Sequence, residues 1–396
     1  MRRTTRIVGA PADRATAGLA RPCVPVARNG AWDGAPRRRA ATAVVFTVVA
    51  FLASAAAAPP ERATVVLASG ERLAEVLVVE ESWERVRLDT DRDGRADRQY
   101  GPGDVKSIRY AKEPSYVLEA RLHKDVIANA PKAISLYEQA YDDRSLSPWH
   151  KQHIYHEAAA VATRWAAVDP KWRETARRIR RRLVTDIPRS RYRVSAEFWL
   201  ADDAVRRGAA AEATARLRRV ADGGFGGVVR DRALVGLADV QVSAGEIAAA
   251  DRSYAALLGR LKPDDPLWAA AQLGRAECAL RGPAPDRDRL VRARRTLYDA
   301  LPRVTADAER ARLYRLLGDA DRLAGRPAEA LLHYLRAVLL YGGDDRETAR
   351  ALCGAVRCDL ALKRPDRVRR HVARLKREFA DQPGVKALLA DPALNR

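Results

Sequence analysis

The sequence predicts a mainly α-helical protein, in which an α-solenoid of about six to seven helical hairpins follows a small, barrel-like β module. Three observations predict this fold. A small side chain followed by apolar residues at helical spacing recurs every 37–43 residues along most of the chain. Apolar residues alternate with polar ones in a shorter stretch before that series. Aromatic residues make up only 6% of the chain, which favours helices over β-sandwiches.

The N-terminal 58 residues are predicted to direct export. Residues 1–36 are rich in Arg, Gly, Pro and Ala, and we interpret them as an unstructured leader from a translation start placed too early. Three arginines then precede nineteen uncharged residues, 40–58, so 37–58 is a predicted signal peptide with a mature start near Ala56 or Ala58. The alternative is a membrane anchor at 40–58, because nineteen apolar residues can just span a bilayer. Both interpretations place the rest of the chain outside the cytoplasm, periplasmic or secreted.

Residues 61–111 are predicted to form the β module. Apolar residues recur there at period two, in pairs such as Val65 and Leu67 or Val86 and Leu88. Gly-containing turns separate these pairs. Four or five short strands in fifty residues indicate a small SH3-like or Sm-like barrel, and so small a module is expected to pack against the first helices.

A calcium-binding loop is one interpretation of the sequence DTDRDGRAD within this module. Its carboxylates are Asp89, Asp91, Asp93 and Asp97, and alternating carboxylates around a glycine suit a cation that takes six to eight oxygens. The spacing resembles EF-hand loops and the calcium hairpins of integrin-type propellers. Tyr100 stands where an EF-hand has its bidentate Glu, so the hairpin version fits better. A solvated Asp-rich turn is the alternative, and no other cofactor is expected.

Residues 112–390 are predicted to form the solenoid. The small residues that mark each second helix are Ala133, Ala176, Ala213, Ala250, Ala293, Ala330 and Val368. The residues four and seven positions later are apolar except at Arg180, and this spacing describes one face of a helix. Gly208, Gly245 and Gly325 are predicted to end the preceding first helices in the left-handed conformation.

The segment YRLLG at 314–318, with Gly325, Ala330, Tyr334 and Ala337, resembles the tetratricopeptide (TPR) motif. The junction PRSRY at 188–192 resembles those of periplasmic TPR proteins of the outer-membrane assembly and division type. The resemblance covers about two thirds of the chain and departs from the motif at Asp321 and in the inserted loop 281–289. It implies a right-handed superhelix whose concave wall, lined by first helices, binds a partner.

The groove-facing spacing of that family selects the candidate binding residues, which are Phe198, Asp202, Arg232, Asp239, Trp268, Arg275, Arg312, Arg315, Asp319, Arg350 and Arg357. Stacking should place the last four arginines on one wall, and the flanking sequence offers only Asp319 as a local partner. Because guanidinium groups pair with carboxylates, the expected partner is a protein or peptide with an acidic segment or chain terminus.

The formal net charge is +21, of which the leader and signal segment hold +7, so +14 remains beyond residue 58. An adaptor for an anionic glycan, lipid or other envelope polymer, using Arg-rich faces such as 173–193, is therefore the alternative to a protein-binding scaffold. No nucleic-acid partner is expected behind a signal peptide. The sequence lacks GxSxG, P-loop, GxGxxG and Cys/His dyad signatures, so we expect no enzyme activity. Its cysteines are expected to be buried apolar residues.

Overall fold

The computed structural model describes residues 60–282 and 286–394, so the predicted leader, signal peptide and anchor at 1–58 lie outside the described residues. The five strands are Glu61–Leu67 (β1), Arg72–Glu81 (β2), Val86–Asp89 (β3), Arg98–Tyr100 (β4) and Val105–Tyr110 (β5). The helices are Ser115–His123 (α1), Ala130–Asp142 (α2), Pro148–Trp165 (α3), Trp172–Asp186 (α4), Arg193–Arg206 (α5), Ala210–Asp222 (α6), Gly227–Ala244 (α7), Ile247–Leu258 (α8), Pro266–Arg281 (α9), Arg287–Ala300 (α10), Asp307–Leu323 (α11), Pro327–Leu340 (α12), Asp345–Ala361 (α13), Pro365–Glu378 (α14) and Pro383–Leu389 (α15). Among these described helices, none has the length and apolar character needed to cross a membrane.

The β module is an antiparallel sheet in the order β4-β3-β2-β1-β5. The predicted strands are confirmed, but the predicted barrel is wrong, because the described residues show no pairing between β4 and β5. β4 is only three residues long and pairs with β3, while β5 pairs with β1. The apolar face is instead covered in part by Trp149 of α3, which packs against the buried residues of the sheet.

A buried polar junction attaches the β module to the helices, as expected for so small a module. Glu81 of β2 is 0% exposed. Its carboxylate contacts His153 Nε2 at 2.7 Å and Arg191 Nη1 at 2.9 Å, and it accepts a 3.0 Å hydrogen bond from the Tyr110 hydroxyl. Gln152 donates to the Glu81 carbonyl at 3.1 Å. The module and the helices therefore share one satisfied hydrogen-bond network.

The fifteen described helices form seven consecutive hairpins, from α1/α2 to α13/α14, and α15 follows as an end cap. The seven predicted marker residues lie on α2, α4, α6, α8, α10, α12 and α14, and all are buried. The residues seven positions later are buried as well. Arg180 is accommodated in this series because its guanidinium stacks 4.2 Å from the Trp199 ring centroid and donates to the Ala159 carbonyl. The predicted repeats are confirmed.

Close packing between hairpins depends on glycine at two kinds of position. Gly208, Gly245 and Gly325 follow first helices with φ of 78°, 84° and 74°, as predicted, since other residues rarely adopt this conformation. Gly354 of α13 instead makes room for a ring, because a Cβ there would lie 2.3 Å from Tyr334 Cζ. The Tyr334 hydroxyl then reaches Asp319 on the concave side at 2.6 Å.

Candidate binding site in the concave face

The curvature of the hairpins encloses a concavity of about 1450 Å³. Side chains from the ends of α4 and α5, from the first helices α7, α9, α11 and α13, and from the α14–α15 region line it. Twelve of the lining residues are basic and seven are acidic, an excess of five positive charges. The low-dielectric walls of such a cleft focus its field, so the concavity should attract anionic groups.

Glu277 on α9 is the centre of a buried ion network behind this wall. Its side chain is 2% exposed, and its Oε2 lies 3.0 Å from Arg312 Nη2 and 3.2 Å from Arg315 Nη2. Arg315, with a side chain 4% exposed, also pairs with Asp319 at 2.8 Å and with Glu347. Carboxylates rather than water therefore compensate the charges of these arginines.

The expectation of a row of unmatched arginines on this wall is wrong for Arg312 and Arg315. Their partners Glu277 and Glu347 belong to the neighbouring helices α9 and α13, so neither flanks the arginines in sequence. Burial alone would raise the pKa of Glu277, but the surrounding arginines, Arg315 foremost, hold that pKa well below its ordinary value. Arg312 and Arg315 are thus structural parts of the wall.

The positive charge is less compensated on α13. Arg346, Arg350 and Arg357 share one face of this helix, at intervals of four and seven residues. Arg350 Nη1 lies 3.3 Å from Glu347, yet burial and the charge of Arg346 lower the pKa of Arg350 to about 10. Arg357 is exposed and, within 60–282 and 286–394, has no ion-pair or hydrogen-bond partner. This face of α13 is the strongest candidate anion site.

Comparison with known proteins identifies the architecture of this chain but not its binding site. No known family profile and no curated protein matches the sequence. Among solved structures, a tetratricopeptide repeat protein from Parabacteroides merdae matches at a TM-score of 0.51 and 12% identity, over 71% of this chain and 98% of its own. The helical hairpins have a tetratricopeptide-like fold. At this identity the likeness shows the fold alone, and it confirms the resemblance seen in the sequence.

Two further structures are similar to the TPR-like solenoid more loosely. One is a TPR protein of Thermus thermophilus, at 18% identity and a TM-score of 0.40, over 51% of this chain and all of its own. The other is PilW, a type IV pilus biogenesis factor, at 13% identity and a TM-score of 0.36, over 60% of this chain and 99% of its own. Neither score is high enough to carry a structural argument.

The structure divides the predicted groove residues of the TPR-like repeats into three sets. Those that line the concavity are Arg315, Asp319, Arg350 and Arg357. Asp239 and Arg312 join the buried network, 2.8 Å from each other, without lining the concavity. The described lining does not include the remaining five, Phe198, Asp202, Arg232, Trp268 and Arg275.

The residues outside the lining have local partners. Arg232 stacks over Phe198 at 4.5 Å, and Arg303 stacks over Trp268 at 5.1 Å. Asp202 accepts a bond from Arg206 and Arg275 pairs with Asp251. Their partner-binding role stays a prediction.

Several lining residues were missed by the sequence analysis. They include Arg322, seven residues after Arg315, and Arg346, four before Arg350. Helical spacing from the predicted arginines could have identified both, because residues four and seven apart share a face. Arg173 and Arg206 could not have been found this way, since they reach the concavity from the opposite end of the solenoid.

The Arg-rich stretch 173–193 is largely neutralised within the fold. Seven of its nine arginines pair with carboxylates of other segments or of their own helix. Arg177, for example, is hydrogen-bonded to Asp203 at 2.5 Å, and Arg181 to Glu212 at 2.9 Å. Glu212 also binds Arg207 and Arg216, and these contacts outweigh its partial burial and lower its pKa to about 2. This face offers few free cations to a polymer.

The Asp-rich loop brings together three of the four predicted calcium ligands. Oxygens of Asp89, Asp91 and Asp97 lie within 4.8 Å of one another. Asp93 is not in this group, because its carboxylate turns back to accept a 2.7 Å bond from the Arg95 amide. Slight desolvation, a side-chain hydrogen bond with Asp89 and the negative charge of Asp93 raise the pKa of Asp91. The cluster suits a hard cation, although Asp89 and Asp97 also accept backbone N–H bonds as they would in a plain turn.

Proposed function

We propose that the mature chain is an exported, non-enzymatic scaffold that holds an acidic, extended segment of a partner protein in the concave face of its TPR-like solenoid. The observation that supports it is the concavity of about 1450 Å³ in which twelve basic residues face seven acidic ones. Guanidinium groups bind carboxylates in a bidentate geometry, which gives such a wall both affinity and orientation.

The α13 face is the part of the wall that we assign to the partner. Arg350 and Arg357 lie seven residues apart on it, and Arg350 is held by Glu347 only at 3.3 Å and Glu277 at 3.8 Å. A partner carboxylate would relieve the repulsion between Arg346 and Arg350. Each charge-assisted hydrogen bond formed in this shielded position contributes about 1.5–3 kcal/mol. The Glu277 network fixes the wall from behind, so little side-chain order must be acquired on binding.

A labelled oligopeptide tests this assignment. A fluorescein-labelled decapeptide of glutamate should bind the wild-type chain, and Arg350→Gln with Arg357→Gln should weaken that binding tenfold or more. Arg295→Gln with Arg369→Gln is the matched control, because both exposed arginines lie outside the lining and pair with Asp299 and Asp366. Equal affinity of the double variant and the wild type, measured by fluorescence anisotropy, contradicts a role for the α13 face.

The partner itself is best sought by comparing two baits. The wild-type chain and the Arg350→Gln, Arg357→Gln variant are used in parallel to capture proteins from an envelope fraction. Only a protein that the wild type retains and the variant releases supports the proposal. A protein retained equally by both baits binds elsewhere, for instance at the β module.

An adaptor for an anionic glycan, lipid or other envelope polymer is the second candidate, and the formal charge of +14 beyond residue 58 favours it. The pairing of seven arginines within 173–193 counts against it. Salt separates the two functions. Binding to a polyanion should fall steeply between about 50 and 200 mM salt through counterion release, whereas a protein interface of mixed character should weaken far less.

Export is supported by the sequence pattern at 37–58, outside the described residues. N-terminal sequencing of material recovered from outside the cytoplasm should start near Ala56 or Ala58. A start before Arg37 would contradict the signal peptide, and intact material retained in the membrane would favour the anchor at 40–58 instead.

A further inference from the structure

The start of α13 approaches α4 and α5 across the concavity, and we call this region, formed by Asp345, Arg173 and Arg206, its mouth. Asp345 in the first turn of α13 lies 3.6 Å from Arg173 of α4 and 3.8 Å from Arg206 of α5. Beside it, Arg346 donates a 2.7 Å hydrogen bond to Ser243 of α7, 103 residues earlier in the chain. Within the described chain, these three polar contacts join the start of α13 to helices that lie three to five hairpins earlier.

The contacts at the mouth differ from those behind the wall. The Asp345 side chain is 48% exposed, and both of its distances are those of ion pairs rather than hydrogen bonds. Exposed ion pairs contribute little to stability and are screened by salt. A solenoid is held mainly by contacts between adjacent repeats, so its ends can separate without loss of the hairpins. The contacts at the mouth are therefore the weakest of those that hold the concavity together.

Asp345 also pairs with arginines that an acidic segment of a partner would otherwise bind. Arg173 and Arg206 both line the concavity. Arg206 keeps a second partner, Asp202 at 2.9 Å, on its own helix, whereas Arg173 pairs with no described carboxylate other than Asp345. If the ion pairs of Asp345 broke, the mouth would open and at least one unpaired arginine would be exposed beside it.

We propose that Asp345 is an electrostatic latch, which holds the mouth of the concavity closed through Arg173 and Arg206 and limits the access of an acidic segment until it is displaced. The identity of the guest rests on the function proposed above, but the latch itself does not. A guest carboxylate competes with Asp345 for the same arginines, so occupancy and opening are coupled.

A distance measurement across the mouth tests the latch without any partner. Spin labels are placed on the full chain by Lys171→Cys and Gly343→Cys, with Cys23→Ser. Cys278, Cys353 and Cys358 are buried, so they stay unlabelled. At low salt the wild-type labels should give one short, narrow distance distribution. Asp345→Arg places three positive charges together and should shift the distribution to longer distances, as should 1 M salt on the wild type.

The controls separate opening from a change of charge. Asp366→Arg reverses an exposed carboxylate on α14, the second helix of the same hairpin, where Asp366 pairs with Arg369, and should leave the distribution unchanged. Combining Asp345→Arg with Arg206→Asp restores an ion pair and should restore the short distance. Asp345→Asn gives the same test by a milder change, and helicity must match the wild type in each variant.

The same variants show whether the latch limits access. The glutamate decapeptide should associate about fivefold faster with Asp345→Arg, against less than twofold for Asp366→Arg, which gains the same charge. An unchanged label distance in Asp345→Arg overturns the latch. A longer distance with no gain over Asp366→Arg overturns its role in access. If no variant binds the peptide, the proposed function is contradicted. The distance between the spin labels alone then shows whether the latch exists.

Discussion

Two buried glutamates, one in the β module and one in the solenoid, have different roles although both are ionised. Glu81 anchors the β module and Glu277 lies behind the concave wall, and both are held in the ionised form although burial opposes it. The partners of Glu81 satisfy its carboxylate. Near Glu277, by contrast, Oε1 of that residue and Nη2 of Arg315 have no hydrogen bond among the described residues. The network around Glu81 therefore fixes two parts of the fold to each other, whereas the network around Glu277 holds buried charges together with fewer hydrogen bonds.

The largest expected effect comes from removing the charge of Glu277. Glu277→Gln leaves Arg312 and Arg315 buried with too few carboxylates, so the free energy of unfolding should fall by about 3–5 kcal/mol. Urea denaturation followed by circular dichroism measures this loss. Glu329→Gln on the exposed side of α12 is the control and should change stability little. A loss below about 1 kcal/mol for Glu277→Gln would mean that the arginines are solvated after all.

Glu81→Gln should cost somewhat less, about 2–3 kcal/mol, because Arg191 is less buried than Arg315. The folded pKa of Glu81 is lowered, so its contribution is complete above pH 4.5 and is lost as the pH falls through the folded pKa. The difference in stability between wild type and variant should therefore shrink as the pH falls below about 5. A difference that grows on acidification contradicts an ionised Glu81.

The variant Gly354→Ala tests whether a packing change in the core alters the side chains of the concave wall. The added Cβ would lie 2.3 Å from Tyr334 Cζ, and the displaced ring would pull on Asp319 and hence on Arg315. We expect a loss of about 2 kcal/mol from overpacking, measured by thermal or urea denaturation. Gly343→Ala, where a Cβ meets nothing within 4 Å, is the matched control. Equal stability of both variants would show that Tyr334 can move freely.

The smallest effect concerns the acidic cluster of the β module, which compensates no buried arginine. If Asp89, Asp91 and Asp97 hold calcium, millimolar calcium should raise the melting temperature of the full chain by about 1–2 °C. Asp91→Asn should abolish the shift. Asp93→Asn should retain it, because Asp93 lies outside the cluster. Absence of a shift in the wild type leaves the loop as a solvated turn.

The sequence by itself determined the repeats, since helical periodicity and capping are local. Ala133 and its six counterparts marked the second helices, and Gly245 marked a helix end. Only the tertiary structure decided which charges meet. Glu277 pairs with arginines 35 and 38 residues later because one repeat separates them, so α9 and α11 are neighbours in the wall, and the packing between hairpins decides which of their side chains meet. The open sheet and the approach of Asp345 to Arg173 likewise depend on contacts between distant segments.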